Sequence, residues 1–356
     1  MEHNDFVETL KKYRETLWPI IEKKIIDLTK FPDYCQVNYK YKKEVDFHLE
    51  IVSDYPRRMG KYLRPSLLLL TCQGMGGKIK NAINTAAAMQ ISEDWILNHD
   101  DIEDDSNNRR GSPSLHKIYG NELAINAGDA LHMIMWKVLI DNFKILDLKL
   151  ATKISEEFYT MMSRTVLGQE IELKWSKENR FDLSDEDNFL ILESKTGYYT
   201  IAGPMRLGAI IAGASKKELE IIYRFGVLLG RSFQIVDDLL DLTSDFAGLK
   251  SGKGNDIYEN KRTLMLLHLC RMVKGEDEKK LTKILNKKRE EKNDKDITWV
   301  IESMKKYGSL DYGKERAEKF AKEAKAIFEK EMKFIDREPY RSQIMAGIDF
   351  IVKRDH

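Results

Sequence analysis

The sequence has no excess of charge of one sign. Its 59 lysine and arginine residues nearly balance its 58 aspartate and glutamate residues, so the formal net charge is +1. Proteins that bind nucleic acids or anionic membranes usually present a strongly basic field. The composition therefore indicates no nucleic-acid partner, and any polyanion that the chain binds must be held by a local group of basic residues.

Paired cysteines and long apolar runs are also missing. The three cysteines, Cys35, Cys72 and Cys270, are far apart and lack the CxxC spacing of zinc sites and redox motifs. No uninterrupted apolar run reaches the roughly 18 residues that a membrane span needs, and the amino-terminal residues lack the apolar core of a signal peptide. We therefore expect a soluble, cytoplasmic protein with no membrane span and no disulfide framework.

Proline is rare, and convincing alternating strand patterns are absent. Seven prolines occur among 356 residues, helical periodicity recurs along most of the chain, and no Ser/Gly/Pro-rich linker divides it. The sequence predicts a single all-α domain over residues 1–356, with about a dozen helices. The segments that are apolar on most sides should form the buried central helices: 80–104, 121–142, 186–213 and 216–245.

Two short acidic motifs share one spacing. Residues 98–111 read NHDDIEDDSNNRRG, and residues 233–245 read FQIVDDLLDLTSD. Each contains D-D-x-x-D, formed by Asp100, Asp101 and Asp104 in the first motif and by Asp237, Asp238 and Asp241 in the second. Residues four apart share one face of a helix, so each motif directs two carboxylates the same way.

Carboxylates placed this closely repel each other unless a cation lies between them, and at the end of an apolar helix they are costly to bury. Either motif alone is more often a solvated helix end, and an EF-hand is excluded because the glycine and distal glutamate of its loop are missing. Two copies indicate opposed carboxylate clusters. Hard oxygen ligands of this kind suit Mg²⁺, which also accepts water and substrate phosphate as ligands.

Basic residues near these motifs indicate a diphosphate substrate. Lys61 and Arg64 lie in GKYLRP, near the start of a helix, where backbone N–H groups also favour anions. Arg109 and Arg110 follow the first motif, Lys195 opens KTG, and further lysines lie among the glycines of GLKSGKGNDIYENKR. Each residue alone is more typical of a solvated surface charge. Together with two aspartate clusters they predict a site for Mg²⁺ and phosphate.

These stretches resemble the trans-type isoprenyl diphosphate synthases, a family that includes farnesyl and geranylgeranyl diphosphate synthases. The matching stretches are GKYLRP (60–65), DDIEDDSNNRRG (100–111), GDAL (128–131), GQ (168–169), KTG (195–197), FQIVDDLLD (233–241) and GNDIYENKRT (254–263). They occur in the family's order and are most similar to the archaeal and bacterial geranylgeranyl type. The resemblance implies an orthogonal helical bundle around a central cavity (the isoprenoid synthase fold) and a homodimer.

The resemblance also implies roles for individual residues. Two Mg²⁺ ions would be bound by Asp100 and Asp104, and a third by Asp237 with Asp241, while Asp101 and Asp238 would support them. Isopentenyl diphosphate would be bound by Lys61, Arg64 and Arg110. The allylic diphosphate would be bound by Arg109, Lys195, Thr196, Gln234 and Lys261, with Lys253 or Lys250 as a further contact. The implied catalytic residues are Asp100, Asp104, Lys195 and Asp237.

The implied reaction is a prenyl transfer. Mg²⁺ and basic residues would stabilise the diphosphate that leaves a dimethylallyl, geranyl or farnesyl group. The double bond of isopentenyl diphosphate would then attack the allylic cation inside an apolar cavity that excludes water. We expect a C20 product, geranylgeranyl diphosphate, with C15 as the next candidate. A synthase of another chain length remains an alternative.

Glu93 departs from the pattern of the family. It lies seven residues, about two helical turns, before Asp100, where family members commonly have His or Gln in contact with isopentenyl diphosphate. A carboxylate there should weaken that contact unless it is protonated or directed at a basic residue, and Asp94 adds a second one. Glu172 replaces the Asp that usually follows GQ, and we expect little effect from that change.

Trp95 is the predicted determinant of product length. It lies five residues before Asp100, where aromatic side chains of the family commonly close the tunnel that holds the growing chain. A helical wheel places it about 140° from Asp100, so the spacing alone would not select it, and an ordinary core role remains open. Ile96, beside it, is not aromatic, which disfavours the shortest products.

Two other classes of function share features with this sequence. A class I terpene cyclase would have one aspartate motif and an NSE-type triad, whereas the second motif here is a full DDLLD. A non-catalytic subunit that alters the product of another synthase would typically lose an aspartate motif; both are intact, and Glu93 alone favours this alternative. Lys353 and Arg354 in the carboxyl-terminal tail either close over the diphosphates or form a frayed end.

Overall fold

A computed structural model describes residues 2–29, 39–243 and 253–352 of the protein. Its helices are α1 (Glu2–Leu28), α2 (Lys42–Arg57), α3 (Leu63–Gly74), α4 (Ile79–Glu103), α5 (Leu115–Tyr119), α6 (Asn121–Ile140), α7 (Leu148–Lys177), α8 (Asp185–Leu192), α9 (Gly203–Ala212), α10 (Lys216–Thr243), α11 (Asn255–Tyr258), α12 (Leu264–Met272), α13 (Glu276–Leu285), α14 (Asp294–Lys306), α15 (Ser309–Lys330) and α16 (Tyr340–Val352). A π-helical segment, Glu193–Ala202, joins α8 directly to α9. The all-α prediction is confirmed.

A small hairpin follows the first acidic motif. Strand β1 (Asn108–Arg109) pairs antiparallel with β2 (Ser112–Pro113), and the sequence analysis did not predict either strand. The turn between them needs two residues with positive φ: Arg110 has φ 51° and Gly111 has φ 80°. The hairpin reverses the chain directly after α4, so Arg109 and Arg110 point back toward the helix that carries the acidic motif.

Apolar side chains form two clusters that fix the helices carrying the motifs. The larger cluster packs α3, α4, α6 and α9 together with α1 and α16, and the smaller one packs α12, α14 and α15 around the end of α10. Helix α10 contributes to both clusters, Ile222 to the larger and Ile235 to the smaller. Both acidic motifs therefore lie at the carboxyl-terminal ends of helices whose bodies are anchored in the core.

Two glycines allow close helix approaches beside the motifs. A Cβ atom on Gly128 of α6 would lie 2.3 Å from Nε2 of His99 on α4, and one on Gly230 of α10 would lie 2.2 Å from Cα of Gly197 in the π-helical segment. A side chain at Gly230 would collide with backbone atoms, whereas one at Gly128 would require the His99 ring to move. The glycine of GDAL thus lets α6 approach the first motif, and Gly230 lets the KTG stretch approach the helix of the second.

Helix α6 is partly buried and partly exposed. The stretch Asn121–Lys144 is long and apolar enough to cross a membrane by length and composition alone, yet 44% of its most apolar window is buried inside the fold. Core helices of soluble proteins pass the same test. The remaining side contributes to what we call the α6–α7 face, which consists of six exposed apolar residues: Ile125, Met133, Ile140, Leu148, Tyr159 and Val166.

Candidate active site

Lys261 connects the two acidic motifs. Its Nζ lies 3.4 Å from Oδ2 of Asp104 in the first motif, 3.4 Å from Oδ1 of Asp256 and 3.0 Å from Oε2 of Glu259. The backbone N–H of Asp256 in turn donates to Oδ2 of Asp241 in the second motif at 3.1 Å. A continuous series of polar contacts therefore runs from the end of α4 to the end of α10, as expected if the two motifs serve one site.

The charge of Lys261 is fixed by these neighbours. Burial alone would lower the pKa of its ammonium group, but Asp104, Asp256 and Glu259 together raise that pKa well above its ordinary value. The side chain is therefore a permanent cation between carboxylates. A diphosphate that entered here would meet an ammonium group already aligned between the motifs.

Asp238 of the second motif is buried and hydrogen-bonded through a side-chain relay. Nε2 of Gln234 donates to Oδ1 of Asp238 at 2.8 Å, and Oγ1 of Thr196 donates to Oε1 of Gln234 at 2.7 Å. Burial, then repulsion from Asp256 and Asp237, raises the pKa of Asp238 well above its ordinary value. Thr196 and Gln234, both predicted to bind the allylic diphosphate, thus contact each other and the second motif.

Asp101 of the first motif is fully buried and holds Arg109. Nε of Arg109 lies 2.9 and 3.0 Å from the two carboxylate oxygens of Asp101, and the hydroxyl group of Tyr55 donates to Oδ2 at 2.6 Å. Nη2 of the same arginine lies 3.6 Å from Oδ2 of Asp100. Asp101 therefore orients Arg109 beside Asp100, while Asp100 itself is nearer the surface, with 23% of its side chain exposed.

Lys195 lies beside the first motif in an ion pair with Glu172. Burial would lower the pKa of this lysine, but Glu172 and Asp100 raise it above its ordinary value. We expected little from Glu172, yet it is the direct partner of a predicted catalytic lysine. Nε2 of Gln169, from the GQ stretch, lies 3.5 Å from Oδ1 of Asp100 and donates to Oε2 of Glu103 at 2.6 Å.

The carboxylates of the two motifs suit Mg²⁺. In this structure, lysine and arginine side chains contact the carboxylates of the first motif. Within the three described ranges, no group of three or more His, Cys, Asp or Glu side chains is arranged to hold a metal ion. Lys261 and Arg109 lie against the carboxylates of the first motif instead. The mutual repulsion of Asp237, Asp238 and Asp256 is the kind of strain that a divalent cation relieves, and carboxylate oxygens are the ligands Mg²⁺ prefers.

Arg64 and Arg110, predicted to bind isopentenyl diphosphate, face two carboxylates of α4. Nη1 of Arg110 donates to Oδ1 of Asp94 at 2.7 Å, and Nη2 lies 3.4 Å from Oε1 of Glu93. Nη1 of Arg64 lies 3.2 Å from Oε2 of Glu93. Glu93 is therefore directed at basic residues, which was one of the two conditions under which we expected it to be tolerated. Lys61, the third predicted contact, is exposed.

Trp95 packs in an aromatic stack between α4 and α6. Its ring lies 4.2 Å from the ring of His132, centroid to centroid, and nearly parallel to it. Nε1 of Trp136 donates to Nε2 of His132 at 2.9 Å, and burial lowers the pKa of His132, so this imidazole is neutral. Trp95 thus lies against a second wide, flat side chain at the edge of the larger apolar cluster.

Comparison with known proteins identifies the family. The family model described as polyprenyl synthetase matches residues 46–304. That range contains both aspartate motifs, Lys61, Arg64, Lys195 and Lys261. The chain belongs to the polyprenyl synthetase family.

Similar curated proteins include isoprenyl diphosphate synthases. The short chain isoprenyl diphosphate synthase of Methanothermobacter thermautotrophicus is 31% identical over 297 residues, which cover 83% of this chain and 87% of the relative. The geranylgeranyl diphosphate synthase of Sulfolobus acidocaldarius is 34% identical over 265 residues, 74% and 78% of the two chains. The structure of geranylgeranyl pyrophosphate synthetase from Pyrococcus horikoshii aligns over 100% of both chains, with a TM-score of 0.83 and 26% identity.

These findings confirm the resemblance found in the sequence and the enzyme class that it implied. The protein is a prenyltransferase of the trans-isoprenyl diphosphate synthase type. The roles assigned to single residues stay predictions. Of the lysines predicted to contact diphosphate, Lys253 lies exposed just before α11, whereas Lys250 lies outside the described residues. Lys353, Arg354 and Cys35 also lie outside the described residues. Cys72 and Cys270 are free thiols.

The sequence analysis missed two basic residues, Arg289 and Lys292, that reach the site from the segment after α13. Nη1 of Arg289 donates to the carbonyl oxygen of Asp104 at 2.9 Å and contacts Oε1 of Glu259 at 3.2 Å. Lys292 is buried, and its Nζ donates to three acceptors at the end of α11: the carbonyl oxygens of Ile257 and Tyr258 and Oδ1 of Asn260.

Burial lowers the pKa of Lys292 to about 8. A cation at the carboxyl end of a helix is favourable, so Lys292 holds the turn that leads into Lys261. No periodic or motif signal in the sequence distinguishes Arg289 and Lys292 from the solvated lysines and arginines around them.

Proposed function

We propose that the chain condenses isopentenyl diphosphate with farnesyl diphosphate and forms geranylgeranyl diphosphate, the C20 product. The observation that carries this proposal is the series of contacts from Asp104 through Lys261 and Asp256 to Asp241. These contacts connect the acidic ends of α4 and α10 through the ammonium group of Lys261. A site for a metal-bound diphosphate requires this combination of carboxylates and ammonium groups.

We assign the metal ligands by motif. Asp100 and Asp104 would hold two Mg²⁺ ions, Asp237 with Asp241 would hold a third, and Asp238 would support it. Asp101 has a positioning role, because Arg109 and Tyr55 occupy its carboxylate. Mg²⁺, the cofactor of this family, supplies charge neutralisation for the departing diphosphate when bound.

The residues of the chain supply the remaining interactions with the allylic diphosphate. Lys195 and Lys261 are held in their charged forms by neighbouring carboxylates, so each can donate to a phosphate oxygen without first gaining a proton. Arg109 is fixed beside Asp100, and Thr196 and Gln234 form one hydrogen-bonded pair beside Asp238. Groups held in place in this way stabilise developing negative charge without reorganising during the reaction.

Isopentenyl diphosphate would bind to Lys61, Arg64 and Arg110. Its double bond would attack the allylic cation, and the proton lost from the product would pass to the released diphosphate. The elongating chain would then extend along α4 and α6 until it met Trp95. The stack of Trp95 on His132 supports this assignment, because two flat rings close a tunnel more completely than one.

We also propose a cytoplasmic homodimer. Leu148, Tyr159 and Val166 of α7 are spaced by eleven and seven residues, close to whole numbers of helical turns, and therefore lie on one side of that helix. Met133 and Ile140 of α6 are exposed apolar residues as well, and large exposed apolar patches mark protein–protein interfaces. A second copy of this chain is the partner that we propose.

The test is Mg²⁺-dependent release of diphosphate. The purified chain, given isopentenyl diphosphate and each allylic primer in turn, should release diphosphate with Mg²⁺ and not with a chelator. Asp237→Asn should lose most of this activity, whereas Asp46→Asn, a change of the same type at an exposed position of α2, should retain it. No release with any primer would favour the non-catalytic subunit instead.

A further inference from the structure

Two acidic side chains lie within the predicted isopentenyl diphosphate subsite. Glu93 and Asp94 are adjacent on α4 and are 8% and 1% exposed. They face Arg64 and Arg110, whose side chains are 21% and 13% exposed. With Lys61 included, the subsite has three basic side chains and two acidic ones. A diphosphate entering it meets much less net positive charge than the basic side chains alone would provide.

Asp94 and Glu93 are held in different ways. Nη1 of Arg110 donates to Oδ1 of Asp94 at 2.7 Å and to the carbonyl oxygen of Tyr55 at 2.9 Å, which is strong, well-directed bonding. Glu93 lies between the two guanidinium groups at 3.4 and 3.2 Å. Its Oε2 is buried and makes no hydrogen bond. Asp94 is therefore firmly bound, and Glu93 is loosely bound.

Both arginines keep other contacts when Glu93 moves away. Arg64 donates from Nη2 to Oγ1 of Thr200 at 2.9 Å, and its guanidinium carbon lies 4.6 Å from the centre of the Tyr199 ring. Arg110 keeps Asp94 and the carbonyl group of Tyr55. The carboxylate of Glu93 thus occupies the position between two fixed guanidinium groups. A diphosphate in that position would accept hydrogen bonds from both arginines.

Gly60 shows how closely the GKYLRP backbone approaches this cluster. A Cβ atom there would lie 2.8 Å from Nη2 of Arg110 and 3.3 Å from Oε1 of Glu93. The backbone next to Lys61 therefore packs against the cluster beside Nη2 of Arg110 and Oε1 of Glu93.

We propose that Glu93 competes with isopentenyl diphosphate for Arg64 and Arg110, and that Asp94 positions Arg110 to receive it. The proposal rests on the proposed function, because that function assigns these arginines to isopentenyl diphosphate. Glu93 lowers the affinity of the subsite and leaves the allylic site unchanged. Asp94 raises the affinity of the subsite for isopentenyl diphosphate, because it accepts the best-directed hydrogen bond of Arg110 and holds that side chain in place.

The experiment is steady-state kinetics on Glu93→Gln, which removes the charge and keeps the shape. The KM for isopentenyl diphosphate should fall about tenfold, equivalent to about 1.4 kcal/mol, while the KM for farnesyl diphosphate stays the same. Asp94→Asn should raise the KM for isopentenyl diphosphate. Glu318→Gln, the same change at an exposed position of α15, should leave both KM values unchanged. If Glu93→Gln does not fold, Glu93→Met removes the same charge at similar volume.

Calorimetric titration of each variant with isopentenyl diphosphate, without an allylic substrate, separates this proposal from the proposed function. Tighter binding to Glu93→Gln than to wild type supports competition even if no condensation is observed. Equal or weaker binding, or an unchanged or higher KM, shows that Glu93 helps to position the arginines and overturns the proposal, whatever the turnover of the wild-type enzyme.

Discussion

Replacing Asp94 with asparagine should stabilise the fold above about pH 6. Burial, reinforced by nearby Glu93, raises the pKa of the Asp94 carboxyl group from 3.8 to about 6, even though Arg110 favours the charged form. Each pKa unit corresponds to about 1.4 kcal/mol. The difference between 3.8 and about 6 therefore means that the charged carboxylate destabilises the folded state by about 3 kcal/mol.

The sign follows from proton binding. Between about pH 4 and pH 6 the folded chain keeps the proton of Asp94 while the unfolded chain has released it, so the contribution of this residue to the free energy of unfolding falls as the pH rises. Asparagine has nearly the same shape and does not titrate. The variant should therefore differ little from wild type near pH 4 and exceed it by about 3 kcal/mol near pH 8.

Urea denaturation followed by circular dichroism, at a series of pH values from about 4 to 8, measures this difference. Asp46→Asn, at an exposed position of α2, is the matched control and should show no such trend. A difference between Asp94→Asn and wild type that does not change with pH, or a variant less stable than wild type near pH 8, would refute the reasoning. Since the same variant should bind isopentenyl diphosphate more weakly, stability and affinity should change in opposite directions.

Three further predictions concern other parts of the molecule. Trp95→Ala should lengthen the prenyl products, because the chain could then pass the stack on α4 and α6; an unchanged product spectrum by chromatography would remove Trp95 from this role. Leu148→Glu should reduce the mass measured by light scattering to that of a monomer, because the α6–α7 face would then carry charge, whereas Met272→Glu, at another exposed apolar position, should not. Lys292→Met should raise the KM for the allylic diphosphate about tenfold, or about 1.4 kcal/mol, because the turn before Lys261 loses its cation; an unchanged KM would contradict this.

The sequence predicted the helices and the motifs well for a physical reason. Helical periodicity and the D-D-x-x-D spacing depend on residues a few positions apart, and these relationships survive in any helical packing. The stretch 186–213 was predicted as one helix and is continuous from α8 through the π-helical segment to α9. Helix α16 was not among the predicted segments.

The pairing of charges could not be predicted in the same way. Whether Glu93 meets a phosphate or an arginine depends on the hairpin that returns Arg110 to α4, and that hairpin is four residues of strand around a turn with positive φ. Lys292 is a similar case. The burial of Lys292 depends on where the chain after α13 meets α11, which is a contact between residues more than thirty positions apart. The sequence around Lys292 contains no local pattern that distinguishes it from the exposed lysines nearby.

Product analysis with isotopically labelled isopentenyl diphosphate, farnesyl diphosphate and Mg²⁺ tests the central claim most directly. The account predicts that the purified wild-type chain incorporates the label into a single main product, geranylgeranyl diphosphate, and that a chelator abolishes incorporation. A main product of another length would contradict the C20 assignment. The absence of any labelled product with dimethylallyl, geranyl and farnesyl diphosphates would contradict the proposed function itself.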